Sequence, residues 1–252
     1  SGNVASTTVT HFSTYILIDR TEYDAFFFSM WKDVWDSEAS YSGVQIVLVI
    51  DDSGSMVQND KNNQRLMVAQ NLIEKLPEDS KIGVIRFTSN TDVLTSELTA
   101  DRNLAKSYLS DDYFVSSGGT NMYSAINSAF DLFQDSEVNQ LKMMVVLSDG
   151  NSSATNQHNA VISTAQEKNV RIYTVGLGTS TSYFTNYLQP LAQETSANFY
   201  LAENADQLTE IYEDINEKID IETDSDEDGL PDYYEDNLIL FNGKKITLDK
   251  NN

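Results

Sequence analysis

From residue 44 onward the apolar positions follow two alternating rhythms. Residues 44–50 are an apolar run rich in β-branched residues and broken only by Gln45, which predicts a strand buried on both faces. Residues 64–76 place Leu66, Ala69, Leu72, Ile73 and Leu76 at helical spacing, with Pro77 just beyond as a stop. Residues 81–87 and 92–98 read as two further strands. The Ser89-Asn90-Thr91 link between them is too short for a crossover helix, so this pair is expected to be antiparallel. A short helix is expected over 102–109. A longer one over 121–133 carries Met122, Ala125, Ile126, Ala129 and Phe133 on one face. Strands at 141–147, 170–175 and 198–201 then alternate with helices at 160–168, 183–194 and 206–219. Such alternation predicts an α/β fold: a doubly wound, mostly parallel sheet with one antiparallel edge strand and helices on both faces.

In these sheets ligands bind beyond the carboxyl ends of the strands, where strand order reverses. Asp51-Asp52-Ser53-Gly54-Ser55-Met56 leaves the first strand and Ser148-Asp149-Gly150 leaves the 141–147 strand. Ser117-Gly118-Gly119-Thr120 opens the 121–133 helix. Asp51, Ser53 and Ser55 alternate, so an extended loop can aim all three at one point, with Gly54 expected to ease the turn. Thr120 adds a third hydroxyl and Asp149 a second carboxylate. Hydroxyls are weak neutral ligands, so a hard divalent cation held this way can still accept an outside carboxylate. Taken singly, the first fragment serves equally as a helix N-cap and the Gly-Gly-Thr fragment as a turn. Asp52 is expected to point away from Asp51 into solvent.

Together these fragments resemble the von Willebrand factor type A domain. The likeness rests on Asp51-Asp52-Ser53-Gly54-Ser55, Gly119-Thr120-Asn121 and Leu147-Ser148-Asp149-Gly150, with Ile82 to Phe87 and Thr174-Val175-Gly176-Leu177-Gly178 similar to its strands. It covers residues 44–219. The resemblance implies a metal-ion-dependent adhesion site: Ser53, Ser55 and Thr120 would meet the metal through hydroxyls, and Asp51 and Asp149 directly or through water. Mg²⁺ (or Mn²⁺ or Ca²⁺) would fill it, and a Glu or Asp of a protein ligand would complete its shell.

Composition excludes other chemistry. The 252 residues hold 16 Lys+Arg against 39 Asp+Glu, a formal charge of −23, which disfavours nucleic acid and anionic membrane surfaces as partners. No Cys is present, removing thiol catalysis, disulfides and Cys-ligated metals. No apolar run approaches the ~20 residues that span a bilayer, so direct membrane insertion is not expected. His158 lies in a polar stretch with no recognisable partner and reads as a surface histidine, leaving a hydrolase without a base. The chain is expected not to be an enzyme.

Nine acids and no base fall within residues 220–236. Asp224, Asp226, Asp228, Asp232 and Glu235 take positions 1, 3, 5, 9 and 12 of an EF-hand-like loop. Gly229 stands at 6 and Leu230 offers its carbonyl at 7. The acids repel one another unless a cation neutralises them, so Ca²⁺ is expected here. A lone loop with Gly-Leu-Pro-Asp inside resembles thrombospondin type 3 and dockerin-like calcium segments.

Residues 1–43 read as an extension or the tail of a preceding β-module, 44–219 as the α/β domain and 220–252 as the calcium segment. His11-Phe12-Ser13 resembles the self-cleaving tripeptide of β-rich autoproteolytic domains. The start at Ser1-Gly2 reads as processed or engineered, and further modules are expected on both sides. These features imply a secreted or cell-surface bacterial adhesion module, on a Gram-positive surface, that captures an acidic ligand residue through a cation. The competing reading is an intracellular assembly subunit partnering an ATPase, against which scarce cytosolic Ca²⁺ argues.

Overall fold

In a computed structural model of the protein, the described residues are 21, 41–134, 139–179, 181–227 and 230–237. A six-stranded sheet forms the centre. Its strands are β1 (Gly43–Asp51), β2 (Lys81–Phe87), β3 (Thr91–Val93), β4 (Gln140–Ser148), β5 (Val170–Leu177) and β6 (Phe199–Ala202), in the order β3-β2-β1-β4-β5-β6. All neighbours are parallel except β2 and β3. The helices are α1 (Met56–Asn59), α2 (Gln64–Lys75), α3 (Arg102–Ser107), α4 (Met122–Phe130), α5 (His158–Glu167), α6 (Gln189–Glu194), α7 (Leu208–Glu222) and α8 (Asp232–Asn237).

Every residue of β1 is buried, because successive side chains enter two separate cores. Val44, Ile46, Leu48 and Ile50 pack with Val68, Leu72 and Ile73 of α2 and Ile211, Ile215 and Ile219 of α7. Val47 and Val49 face the opposite way, among Met122, Ile126 and Ala129 of α4 and Val161 and Ala165 of α5. Full burial of each such aliphatic side chain contributes roughly 1.5–3 kcal/mol. Gln45 is accommodated in this strand by exchanging hydrogen bonds with the main chain of Gln134. Its Nε2 donates to the carbonyl at 3.0 Å, and its Oε1 accepts from the amide at 2.8 Å.

The third strand is shorter than the 92–98 run suggests. Pairing with β2 is antiparallel, as Ile85 opposite Val93 shows, but its regular register stops at Val93, with a further main-chain bond from the Leu94 amide to the Val84 carbonyl at 2.9 Å. Beyond it the Val84 amide donates to the Thr95 hydroxyl at 2.9 Å rather than to a main-chain carbonyl, which breaks the ladder. Pairing resumes only at an isolated bridge between Ile82 and Thr99. The helix expected over 183–194 begins as a π-helical turn, Phe184–Leu188, before α6. Pro190 there has no N–H to give to the preceding turn.

From β1 the chain proceeds toward β2 and β3, and from β4 toward β5 and β6. The order therefore reverses between β1 and β4, and a crevice opens beyond their carboxyl ends.

Candidate functional site

Two loops leave adjacent strands into that crevice and are joined by oxygen contacts. Asp51, the last residue of β1, is fully buried. Its Oδ1 accepts from the Ser53 amide at 2.8 Å and its Oδ2 from the Ser148 hydroxyl, at the end of β4, at 2.6 Å. The Ser53 and Ser55 hydroxyls lie 3.2 Å apart, and Ser55 Oγ donates to Asp149 Oδ1 at 2.7 Å. Asn59 Nδ2 donates to the other oxygen, Oδ2, at 3.0 Å. Asp51, Ser53, Ser55 and Asp149 thus form one cluster, and Ser148 and Asn59 join it. Those two were not singled out from the sequence. Asn59 follows Ser55 by one helical turn, a spacing that would have found it.

The third loop is held by its main chain. Gly118 takes a left-handed φ of 77° and accepts from the Gly54 amide at 3.1 Å. Gly54 does stand in a turn, which the Met56 amide closes on the Ser53 carbonyl at 3.1 Å, but it needs no positive φ there; the left-handed conformation falls on Gly118. Thr120 precedes Asn121, the N-cap of α4. The Thr120 carbonyl accepts from the Ser153 amide at 2.9 Å and the Ser153 hydroxyl at 3.2 Å, which ties this loop to the one after β4.

Charge in the site is one-sided. Burial pushes the Asp51 carboxyl up from 3.8 to about 6, against the opposing hydrogen bonds of Ser148 and Ser53. Among the described residues no Lys or Arg forms an ion pair with Asp51 or Asp149; the nearby arginines go to Asp52. The groups there that could meet a cation are the carboxylate oxygens of Asp51 and Asp149 and the hydroxyls of Ser53 and Ser55. They fit a hard divalent cation, which would supply the missing positive charge.

Asp52 is not the solvated residue expected from the sequence. It is fully buried, and its Oδ1 accepts from Arg65 Nη2, the Ser116 amide and the Ser116 hydroxyl, each at 2.9 Å. Its Oδ2 accepts from the Val115 amide at 3.0 Å, with Arg86 Nη1 3.8 Å away. A fully paired carboxylate can be buried where a lone one could not.

His158 also has a partner, contrary to expectation. Its Nδ1 lies 3.1 Å from the Tyr123 hydroxyl, and its ring makes edge contacts with Tyr123 and Tyr187. Burial lowers its pKa. It packs as part of an aromatic cluster.

In the acidic segment, α7 and α8 flank the loop. Thr223 bridges to Tyr41, and the Asp224 amide donates to the Tyr41 carbonyl at 2.9 Å. Asp232 is fully buried, with Oδ2 accepting from the Thr223 and Ser225 hydroxyls at 2.8 Å and Oδ1 from the Ser225 amide at 2.9 Å. Glu235 and Leu230 are also buried. Among the described residues no three His, Cys, Asp or Glu side chains converge as a metal-holding group, so Asp224, Asp226, Asp232 and Glu235 are not brought together in this way. Asp228 and Gly229 lie outside the described residues, as do His11, Phe12 and Ser13. No described helix is long and apolar enough to cross a membrane.

The sequence matches the von Willebrand factor type A domain over residues 45–214. An uncharacterized protein of Borreliella burgdorferi is 31% identical over 154 residues, 58% of this chain and 44% of the relative. The solved von Willebrand factor type A structure from Catenulispora acidiphila aligns with a TM-score of 0.58 at 20% identity, over 71% of this chain and 43% of that one. The conserved hypothetical protein BatB from Bacteroides thetaiotaomicron gives a TM-score of 0.57 at 19% identity, over 69% and 97%. The chain thus spans less than half the length of the Borreliella and Catenulispora proteins. At these identities the two structures speak for the fold alone. The family match covers all six strands but for the first two residues of β1, together with both loops of the oxygen cluster, and the chain belongs to the von Willebrand factor type A domain family.

Proposed function

We propose that this chain is a metal-dependent binding module that captures an acidic side chain of a protein partner. Domains of its family are generally protein-interaction modules. One observation carries the finer reading: Asp51 and Asp149, two carboxylates with no Lys or Arg ion-pair partner among the described residues, share a hydroxyl cluster at the crevice between β1 and β4. Asp51, Ser53, Ser55, Thr120 and Asp149 would hold the cation. When bound, Mg²⁺, Mn²⁺ or Ca²⁺ supplies a Lewis-acid position for a Glu or Asp from the partner. The chain's own residues orient that position. Ser148 and the Ser53 amide keep Asp51 aimed, Asn59 steadies Asp149, and the Thr120 main chain fixes the third loop. The role proposed is binding rather than catalysis.

The spacing of the acids at positions 1, 3, 5, 9 and 12 of the acidic segment is the ground for proposing a second cation. Asp224, Asp226, Asp228, the Leu230 carbonyl, Asp232 and Glu235 would form a Ca²⁺ loop between α7 and α8 that stiffens the exit from the domain. A Ca²⁺-dependent joint and a carboxylate-seeking site together favour an extracellular, cell-surface setting.

Isothermal titration of Mg²⁺ into the domain tests the site. One saturable event is expected, lost in Asp51→Ala and Asp149→Ala and weakened in Thr120→Ala. Partner capture that persists unchanged in chelator would sink the mechanism.

A further inference from the structure

Two ion pairs of the described residues have both side chains fully enclosed, and Arg65 makes both. Its Nη2 meets Asp52 at 2.9 Å and its Nη1 meets Asp60 at 2.8 Å. Nη1 also donates to Asn63 Oδ1 at 2.8 Å and Nη2 to the Ser116 hydroxyl at 3.1 Å, while the guanidinium carbon lies 5.7 Å from the Phe114 ring centre. A buried ion pair adds little net stability over an apolar replacement, so its geometry carries more information than its energy. Here the geometry is specific. Asp52 and Asp60 are the two ends of the segment that contains Ser53, Ser55 and Asn59, the residues of the oxygen cluster on this loop.

We infer that Arg65 is a positioning residue that staples the two ends of the 52–60 loop and thereby holds Ser53, Ser55 and Asn59 in register with Asp149. The inference rests on the reading of the cluster as a cation site. Only a forked cation can do this, since a guanidinium offers two separate donor edges and a lysine ammonium a single point. The staple reaches the third loop as well. Asp52 accepts from the amides of Val115 and Ser116, and its carbonyl accepts from the Ser117 amide at 2.8 Å, next to the Gly118 that meets Gly54. One arginine therefore sets two of the three loops around the cluster.

Arg65→Lys tests this without altering net charge. An electrostatic role alone leaves Mg²⁺ affinity unchanged. The staple predicts a loss of about tenfold, the lower end for groups that orient metal ligands. Hydrogen exchange in metal-free protein gives a second readout. The amides of Gln58, Asn59 and Asp60, which donate to Ser55 and Met56 carbonyls, should exchange faster in the variant while those of β4 do not change. Saturating Mg²⁺ should restore them. If Arg65→Lys does not fold, Asn63→Gly removes one anchor of Nη1 at a residue already in the left-handed region (φ 51°), and a smaller loss in the same direction is expected. Wild-type Mg²⁺ affinity and unaltered exchange at 58–60 in these variants overturn the staple. A wild-type domain with no saturable Mg²⁺ binding overturns the cation site itself, a result that the variants cannot mimic.

Discussion

Ser148 Oγ donates to Asp51 Oδ2 at 2.6 Å, so the final residue of β4 holds the final residue of β1 across the crevice where strand order reverses. The contact acts on the ionised carboxylate, opposing the burial that pushes its pKa upward. It keeps Asp51 available as an anion in a place that otherwise favours the neutral acid.

Ser148→Ala should therefore raise the pH at which the domain gains cation affinity. A hydrogen bond to a charged group contributes about 1.5–3 kcal/mol, which corresponds to a shift of roughly one pH unit or more. Mg²⁺ titrations between pH 5 and 8 would measure it. An unchanged pH midpoint would show that Ser148 does not tune Asp51.

Stability in chelator should also depend on pH through Asp51. Its folded pKa is raised from 3.8 to about 6, so its contribution is fully present below about pH 4 and is lost as pH rises through about 6. The shift corresponds to about 3 kcal/mol. Urea unfolding of wild type and Asp51→Asn isolates this group, because the variant does not titrate there. Wild-type stability relative to the variant should fall by about that amount between pH 4 and 7.5, and saturating Mg²⁺ should recover it. A difference that stays flat with pH would contradict the assignment.

The sheet was legible because β1 and β4 contain unbroken apolar runs at 46–50 and 143–147, and runs buried on both faces have few alternatives to a central parallel strand. Asp51, Ser53, Ser55 and Asp149 were legible because their spacing places them at the ends of those strands. Asp52 was misread for a physical reason. Its neutralising partner, Arg65, lies thirteen residues on, across a turn and a helix start, and no local periodicity reports such a pair. His158 was misread likewise, since Tyr123 reaches it from another helix. The truncated β3 depends on a side-chain hydroxyl, Thr95, replacing a main-chain acceptor, which strand propensity does not encode.

Asp232 should matter to the fold even without calcium. Its carboxylate accepts three hydrogen bonds from Thr223 and Ser225, and it is fully buried. Asp232→Ala removes all three and should cost about 1–3 kcal/mol in chelator. Thermal unfolding in chelator, with and without added Ca²⁺, would measure this. Equal stability of variant and wild type in chelator would confine Asp232 to cation binding.

The two glycines that meet across the site should respond oppositely to alanine. Gly118 has φ 77°, and a Cβ there would find only ordinary contacts, Ser89 Oγ at 3.6 Å and Thr88 Cβ at 3.7 Å. The cost of Gly118→Ala is thus one of backbone conformation, about 1–2 kcal/mol. Gly54 has no positive φ, and its nearest contact for a Cβ is the Gly118 carbonyl at 3.5 Å, again ordinary. Gly54→Ala meets neither strain nor a clash and restricts the unfolded chain, so it should be neutral or stabilising by about 0.4–1 kcal/mol. The site amplifies the contrast, because the Gly118 carbonyl receives the Gly54 amide between the two serines of the cluster. A Gly118 that leaves the left-handed region turns that carbonyl away, so Gly118→Ala should weaken Mg²⁺ binding as well as stability, whereas Gly54→Ala should leave both near wild type. Urea unfolding in chelator and Mg²⁺ titration, run on both variants, decide the matter: a destabilised Gly54→Ala beside an unaffected Gly118→Ala would mean that the conformation only glycine tolerates is needed at Gly54 and not at Gly118.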